Sequence, residues 1–249
     1  GGGPVRGEGG TETLDGAEAV FTTAEAPTPA PPCPASQVFR TGPSLGLHDC
    51  RAYEMVSPVD KNNGDAIPVG NINSDPASLD QAAVSGDRLT YSSYRAFADL
   101  EAAPFSNQYL SERDPAAGWS VEDISPRRNK SLIFSGFALD TQYKAFTEDL
   151  CKGVMLYDST PPLDPAVPPG FASLYTRHNC TGGAYKGLNE VKPPNSTPEN
   201  FVPDVQGISA DGRHVIYRAP DSLEEGAPFL GQGVSQLYET VEGGAPRLV

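Results

Sequence analysis

The chain is poor in positive charge, in long apolar runs and in histidine. Lys and Arg total 18 against 32 Asp and Glu, a formal charge of −14. Nucleic-acid binding needs clustered cations to displace counterions from phosphates, and no basic stripe is present to do so. The densest basic run, Arg127-Arg128-Asn129-Lys130, is four residues long and reads as a solvated turn between strands. An anionic membrane surface would repel so acidic a chain. No stretch approaches the roughly 20 apolar residues that span a bilayer. The best, residues 131–139 (SLIFSGFAL), is strand-sized. His48, His178 and His214 stand apart, without the HExxH or His-x-His spacing that places two imidazoles on one metal. The opening Gly1-Gly2-Gly3-Pro4 carries neither an initiator Met nor a signal peptide, so the chain is expected to be processed or incomplete.

What is abundant is punctuation. Gly (26) and Pro (25) make up 51 of 249 residues, while hydrophobic residues still reach 38%, enough for a core. That mixture suits short strands joined by many turns and argues against long helices. The length admits one large β domain or two smaller ones.

The four cysteines, Cys33, Cys50, Cys151 and Cys180, contain no C-x-x-C pair, which disfavours zinc knuckles and thioredoxin-type redox chemistry. Of the three possible pairings, proximity favours Cys33–Cys50 and Cys151–Cys180, each contributing about 3 kcal/mol through chain entropy. Disulfides would place the chain in an oxidising compartment, secreted or at the cell surface; four free buried thiols in a reducing cytosol are the competing reading. Three Asn-x-Ser/Thr sites, at Asn129, Asn179 and Asn195, occur often by chance and carry little weight.

Residues 1–23 read as the end of an upstream β module, partly disordered, with a terminal strand ending Ala19-Val20-Phe21-Thr22-Thr23. Residues 24–34 hold five prolines and form an extended linker. Residues 35–249 form the main domain. In it Tyr53, Met55 and Arg51 fall on one face of a short strand, and repetition follows, with units near 80–125, 131–191 and 203–249. The first unit contains Ser85-Gly86-Asp87-Arg88-Leu89-Thr90-Tyr91. The last contains Ser209-Ala210-Asp211-Gly212-Arg213-His214-Val215-Ile216-Tyr217. A looser middle copy is expected to begin at 138–146. Taking Tyr109, Leu174 and Leu237 as equivalent gives spacings of 65 and 63 residues. Each unit is a turn, a strand, a variable loop, a strand and a Gly-rich turn. Such a unit cannot bury its apolar face alone, so copies must pack on one another.

The Ser209-to-Tyr217 segment resembles the TolB-like β-propeller repeat, whose signature is a Ser-Pro-Asp-Gly turn before a hydrophobic strand; Ala210 stands in place of the proline. Together with residues 50–65 (CRAYEMVSPVDKNNGD), these repeats are similar to a family of large, uncharacterised surface proteins of actinobacterial type, in which the propeller region follows fibronectin type III-like or lectin-like modules. The resemblance implies an all-β fold of β-propeller-type repeats. Three units fall short of the four or more blades of a closed propeller, which points to a fragment or to an open array completed by further sequence.

Candidate chemistry is thin. Gly42-Pro43-Ser44-Leu45-Gly46 matches G-x-S-x-G, but no hydrophobic strand precedes it and no helical run follows, so a disulfide-bounded loop is the better reading. Asp60, Asn62 and Asp65 place oxygen side chains in a Gly-containing loop, the pattern calcium prefers, without the bidentate acid of an EF-hand. An Asx-rich turn is the competing reading. Trp119, Tyr175, Tyr185 and Tyr238 suit sheet packing better than a sugar platform. These residues favour a non-enzymatic extracellular interaction or structural module with a protein or glycan partner. The alternative is an accessory propeller of a secreted hydrolase.

Overall fold

In a computed structural model the chain divides into two units, Gly1–Pro32 and Cys33–Val249. The residues described are 33, 36–48, 50–66, 81–98, 107–129, 142–158 and 160–249, all in the second unit. The expected terminal strand, most of the proline-rich linker and the apolar run at 131–139 lie outside them.

Among the described residues the fold is all-β: eleven strands in three antiparallel sheets, with three short 3-10 helices. Sheet 1 holds β1 (Arg88–Ser93), β2 (Asn107–Asp114) and β3 (Gly118–Asp123). Residues 81–83 add a fourth row, with Thr90 N–H donating to Gln81 O at 2.9 Å and Ala83 N–H to Arg88 O at 2.9 Å. Sheet 2 runs β4 (Tyr143–Phe146), β5 (Lys152–Tyr157), β6 (Ser173–His178) and β7 (Lys186–Gly187). Sheet 3 runs β8 (Asp204–Ile208), β9 (His214–Ala219), β10 (Gln236–Val241) and β11 (Arg247–Leu248). Chain neighbours are also sheet neighbours throughout, so each sheet is a meander.

The turn into the second row is the same device three times. Gly86, Leu150 and Gly212 adopt positive φ (75°, 59° and 67°), and each donates its N–H to the carbonyl three residues back at 2.8, 2.9 and 2.8 Å. The middle turn is therefore Thr147-Glu148-Asp149-Leu150, later in the chain than the 138–146 start read from the sequence. It escapes a glycine-based reading because Leu150 carries the left-handed backbone, its side chain fully buried. The turns also touch in series: Arg51 donates to Ser85 O at 2.7 Å, Val84 N–H to Glu148 O at 3.1 Å, and Gly212 sits against Thr147 and Lys152.

Strand register corrects the sequence alignment by one residue. Tyr109 pairs with Tyr91, Tyr175 with Met155 and Tyr238 with Tyr217. Tyr109, Tyr175 and Tyr238 are thus the equivalent positions, spaced 66 (175 − 109) and 63 (238 − 175) residues apart, and all three are buried. Leu174 and Leu237 point to the opposite face, because side chains alternate along a strand. Each tyrosine hydroxyl anchors the loop that leaves the second row. Tyr109 accepts from Phe97 N–H at 3.0 Å, and Tyr175 is bonded to the Leu163 backbone. Tyr238 accepts from Leu223 N–H at 3.1 Å and donates to Asp221 O at 2.9 Å. Burial pushes the pKa of all three above the ordinary phenol value.

These tyrosines face backwards along the stack. Tyr217 and Tyr238 meet Val154, Leu156 and Leu174 of sheet 2. Tyr143, Met155 and Tyr175 of sheet 2 meet Leu110 and Ile124 of sheet 1. Tyr91, Phe97 and Tyr109 stack on one another on the remaining face of sheet 1, with the Phe97–Tyr109 rings 4.1 Å apart. Sheet 2 is consequently buried on both sides, whereas β9 and β10 alternate buried and open positions and leave one face of sheet 3 in solvent.

The Tyr91 face is covered by residues 50–66, held by polar contacts. Arg113 binds Glu54 through two bonds of 2.7 and 3.1 Å and donates to Cys50 O at 2.9 Å. Ser111 donates to Val56 O at 3.0 Å. Residues 51–56 form no ladder, but Arg51, Tyr53 and Met55 do share one face, and it is the outer one: Tyr53 and Met55 are 81% and 61% exposed, while Glu54 and Val56 turn in. The cause is the Arg113 guanidinium, which draws Glu54 to the sheet and sends its neighbours outward.

Candidate functional site

Between sheets 1 and 2 lies an open groove of about 1020 Å³. Its floor begins where the chain leaves β3. Asp123 accepts from Ser125 N–H at 2.8 Å, and Ser125 accepts from Gln108 N–H at 2.7 Å, which turns the backbone off the sheet. The next residues split. Arg127 points to solvent, and its carbonyl accepts from the Tyr157 hydroxyl at 2.9 Å. Arg128 goes inward, its side chain fully buried and 3.6 Å from Asp158. Within the basic run Arg127 and Asn129 are exposed, as a solvated turn requires, and Arg128 alone departs from that reading: a carboxylate beneath it makes burial of one guanidinium tolerable.

The opposite wall comes from β6 and the turn that follows. Arg177 reaches across to Glu122 at 3.6 Å, donates to Gly183 O at 3.3 Å, and lies over the Tyr185 ring at 5.2 Å. The Cys151–Cys180 disulfide pins this turn to the start of β5, and Asn179 N–H donates to Cys151 O at 2.7 Å. Asn129 closes one end, donating its side-chain amide to Thr160 O at 2.8 Å. The groove thus combines guanidinium, carboxylate and amide groups held in place by one another, with a ring at its edge.

The residues singled out by sequence are dispersed. Cys33 joins Cys50 and Cys151 joins Cys180. Ser44 is buried in the 3-10 helix Gly42–Gly46, and its hydroxyl donates to Phe39 O and Thr41 O. Asp60 caps a turn, accepting from Asn62 N–H at 2.9 Å, while Asn62 donates to Ala96 O at 3.3 Å; Asp65 stands exposed beyond them. Among the described residues no group of three or more His, Cys, Asp or Glu is placed to hold a metal ion. His48 is exposed, His178 contacts Thr181, and His214 pairs with Glu239 at 2.9 Å. Asn179 is fully buried and accepts from the Tyr143 hydroxyl at 2.8 Å, which removes it from the folded surface. Trp119 lies on β3, partly buried. Of the singled-out aromatics, Tyr175 and Tyr238 are core, and Tyr185 alone borders the groove. Glu122 and Arg177 carry no motif and meet only through packing of two sheets.

No protein-family model, no curated protein and no solved structure matches this chain. Among the described residues no helix is long and apolar enough to cross a membrane.

Proposed function

We propose that this chain is an extracellular, non-enzymatic interaction or structural module built from β-propeller-type repeats of the TolB-like kind, presenting the groove between sheets 1 and 2 to a partner. The observation that carries the reading is the threefold recurrence of one unit: four antiparallel rows, a left-handed turn after the first, and a buried tyrosine in the third that anchors the intervening loop. Meanders of four rows stacked face to face are how propeller blades bury their apolar surface. Two disulfides support an oxidising compartment. Of the groove's charged residues, Glu122 and Arg177 pair with each other, while Glu112 pairs with Arg88 and Arg128 with Asp158, both outside its lining. These are structural ion pairs that position side chains for binding.

The test is cell fractionation of the native host with an antibody to this chain, combined with thiol alkylation and intact mass. Recovery outside the cytoplasm with all four cysteines blocked supports the reading. Recovery in the cytosol with free thiols overturns it. A crystal structure with the natural flanking sequence tests the repeat assignment: sheets radiating from one axis support it, and sheets without a common axis overturn it.

A further inference from the structure

Resting on the binding reading above, we infer that the groove between sheets 1 and 2 is a site for a neutral oligosaccharide. The first argument is charge. In a chain of net −14, the groove walls carry three carboxylates (Glu112, Glu122, Asp123) and three guanidiniums (Arg127, Arg128, Arg177), which cancel. A phosphate or polyanion needs a surplus of guanidinium or ammonium groups, and a polycation needs a surplus of carboxylates. This groove offers neither to its occupant.

The second argument is the kind of group that remains. Arg177 is held on three sides, by Glu122 at 3.6 Å, Gly183 O at 3.3 Å and the Tyr185 ring at 5.2 Å. Guanidinium, carboxylate and amide are planar groups that donate or accept two hydrogen bonds side by side. Vicinal hydroxyls present the same spacing, each able to donate and accept. Because their mutual contacts already fix these side chains, little rotamer freedom remains to be lost on binding. Tyr185 adds a ring against which the C–H face of a sugar can pack. Its backbone neighbourhood is fixed by the Cys151–Cys180 bond, so the ring is set by covalent structure as well as by packing.

The third argument is shape. About 1020 Å³ is at the upper end of small-molecule pockets, and the groove is open along one side. A groove of that size takes a few linked sugar rings and leaves the rest of a longer chain in solvent. A flat protein interface of the usual ~800 Å² per partner needs a broader, more continuous surface.

The experiment is titration of the full chain, by calorimetry and by saturation-transfer NMR, with four neutral tetrasaccharides: cello-, malto-, xylo- and laminaritetraose. Tetragalacturonate serves as the anionic counterpart. Binding of at least one neutral sugar is expected, unchanged within twofold as NaCl rises from about 50 to about 500 mM, because no ionic contact is screened. Tyr185→Ala and Glu122→Gln are each expected to weaken it about tenfold. Arg127→Ala, at the solvent edge, keeps the fold and reads the contribution of the rim, with an expected loss of about threefold. Circular dichroism confirms that each variant is folded. Stronger, salt-sensitive binding of tetragalacturonate overturns the neutral assignment. Sugar binding indifferent to all three variants overturns the site. No binding of any sugar overturns the proposal while leaving the extracellular module to be judged by fractionation.

Discussion

Replacing Tyr238 with Phe should cost about 2 kcal/mol, and replacing Tyr217 with Phe should cost under 1. The two rings are neighbours in the same core, 6.1 Å apart, and both are fully buried. The phenylalanine ring keeps the buried apolar surface in each case, so only the hydroxyl is tested. Tyr238 accepts from Leu223 N–H at 3.1 Å and donates to Asp221 O at 2.9 Å. Leu223 and Asp221 are themselves buried, so Tyr238→Phe strands one donor and one acceptor away from water. At about 1 kcal/mol net for each of these two lost bonds, the total falls near ~2 kcal/mol. The Tyr217 hydroxyl makes a single long bond of 3.4 Å to Leu188 O. Urea denaturation reads the difference as a lower midpoint at unchanged slope for Tyr238→Phe. In thermal melts the same change lowers Tm by about 4 to 8 °C for a domain of this size. Hydrogen exchange at the Leu223 amide should rise in Tyr238→Phe only. Equal losses in the two variants, or an unchanged Leu223 amide, would refute the anchoring role given to this tyrosine.

Other perturbations have equally direct readouts. Cys151→Ser with Cys180→Ser should lower stability by about 3 kcal/mol in the chain-entropy model, measured by urea unfolding. Glu54→Ala should cost about 3 kcal/mol, because it leaves the Arg113 guanidinium buried without its carboxylate; the side chains are only 8% and 7% exposed. Gly212→Ala should cost about 1 to 2 kcal/mol, since its φ of +67° is unfavourable for any side chain and a Cβ would lie 2.9 Å from Thr147 Cγ2. Acid should destabilise the fold. The Thr147 hydroxyl and Cys151 N–H hold Asp149 below its ordinary 3.8. Burial opposes ionisation of Asp221, but the Asn195 amides outweigh it and hold that group low as well. Depressed folded-state values give stability that is present above the unfolded pKa and lost as pH falls through the folded one. Tm should therefore be level between about pH 7 and 5 and fall below about pH 4. Asp221→Asn should shrink that acid-side fall.

The all-β class is legible because alternation and dense turn residues act locally, and the cysteine pairing favoured by proximity is the pairing formed. What fails is register. Leu174 and Leu237 sit one residue from the true equivalents Tyr175 and Tyr238, and both residue types are apolar enough to satisfy a pattern. Only the strand pairing, which places Tyr175 beside Met155 and Tyr238 beside Tyr217, decides the face. The middle turn is hidden because a buried leucine does there what glycine does in the other two. Arg128 is misread because its buried partner, Asp158, lies 30 residues away, just past the end of β5. The groove is illegible for the same reason: Glu122 and Arg177 are 55 residues apart and meet only when sheets 1 and 2 pack.

The unequal covering of the three sheets gives the molecule a direction. One end of the stack is closed by a strap locked through Glu54 and Arg113, β5 and the first part of β6 in the middle layer are buried on both faces beside the groove, and the far layer has one wet side. Local opening should follow that gradient. Amides of β9 and β10 should exchange with solvent first, those of β1 and β2 later, and those of β5 and β6 only when the whole domain unfolds. Force or protease applied to this domain would therefore peel it in one order, from sheet 3 inward, leaving the groove between the two better-protected layers intact until last.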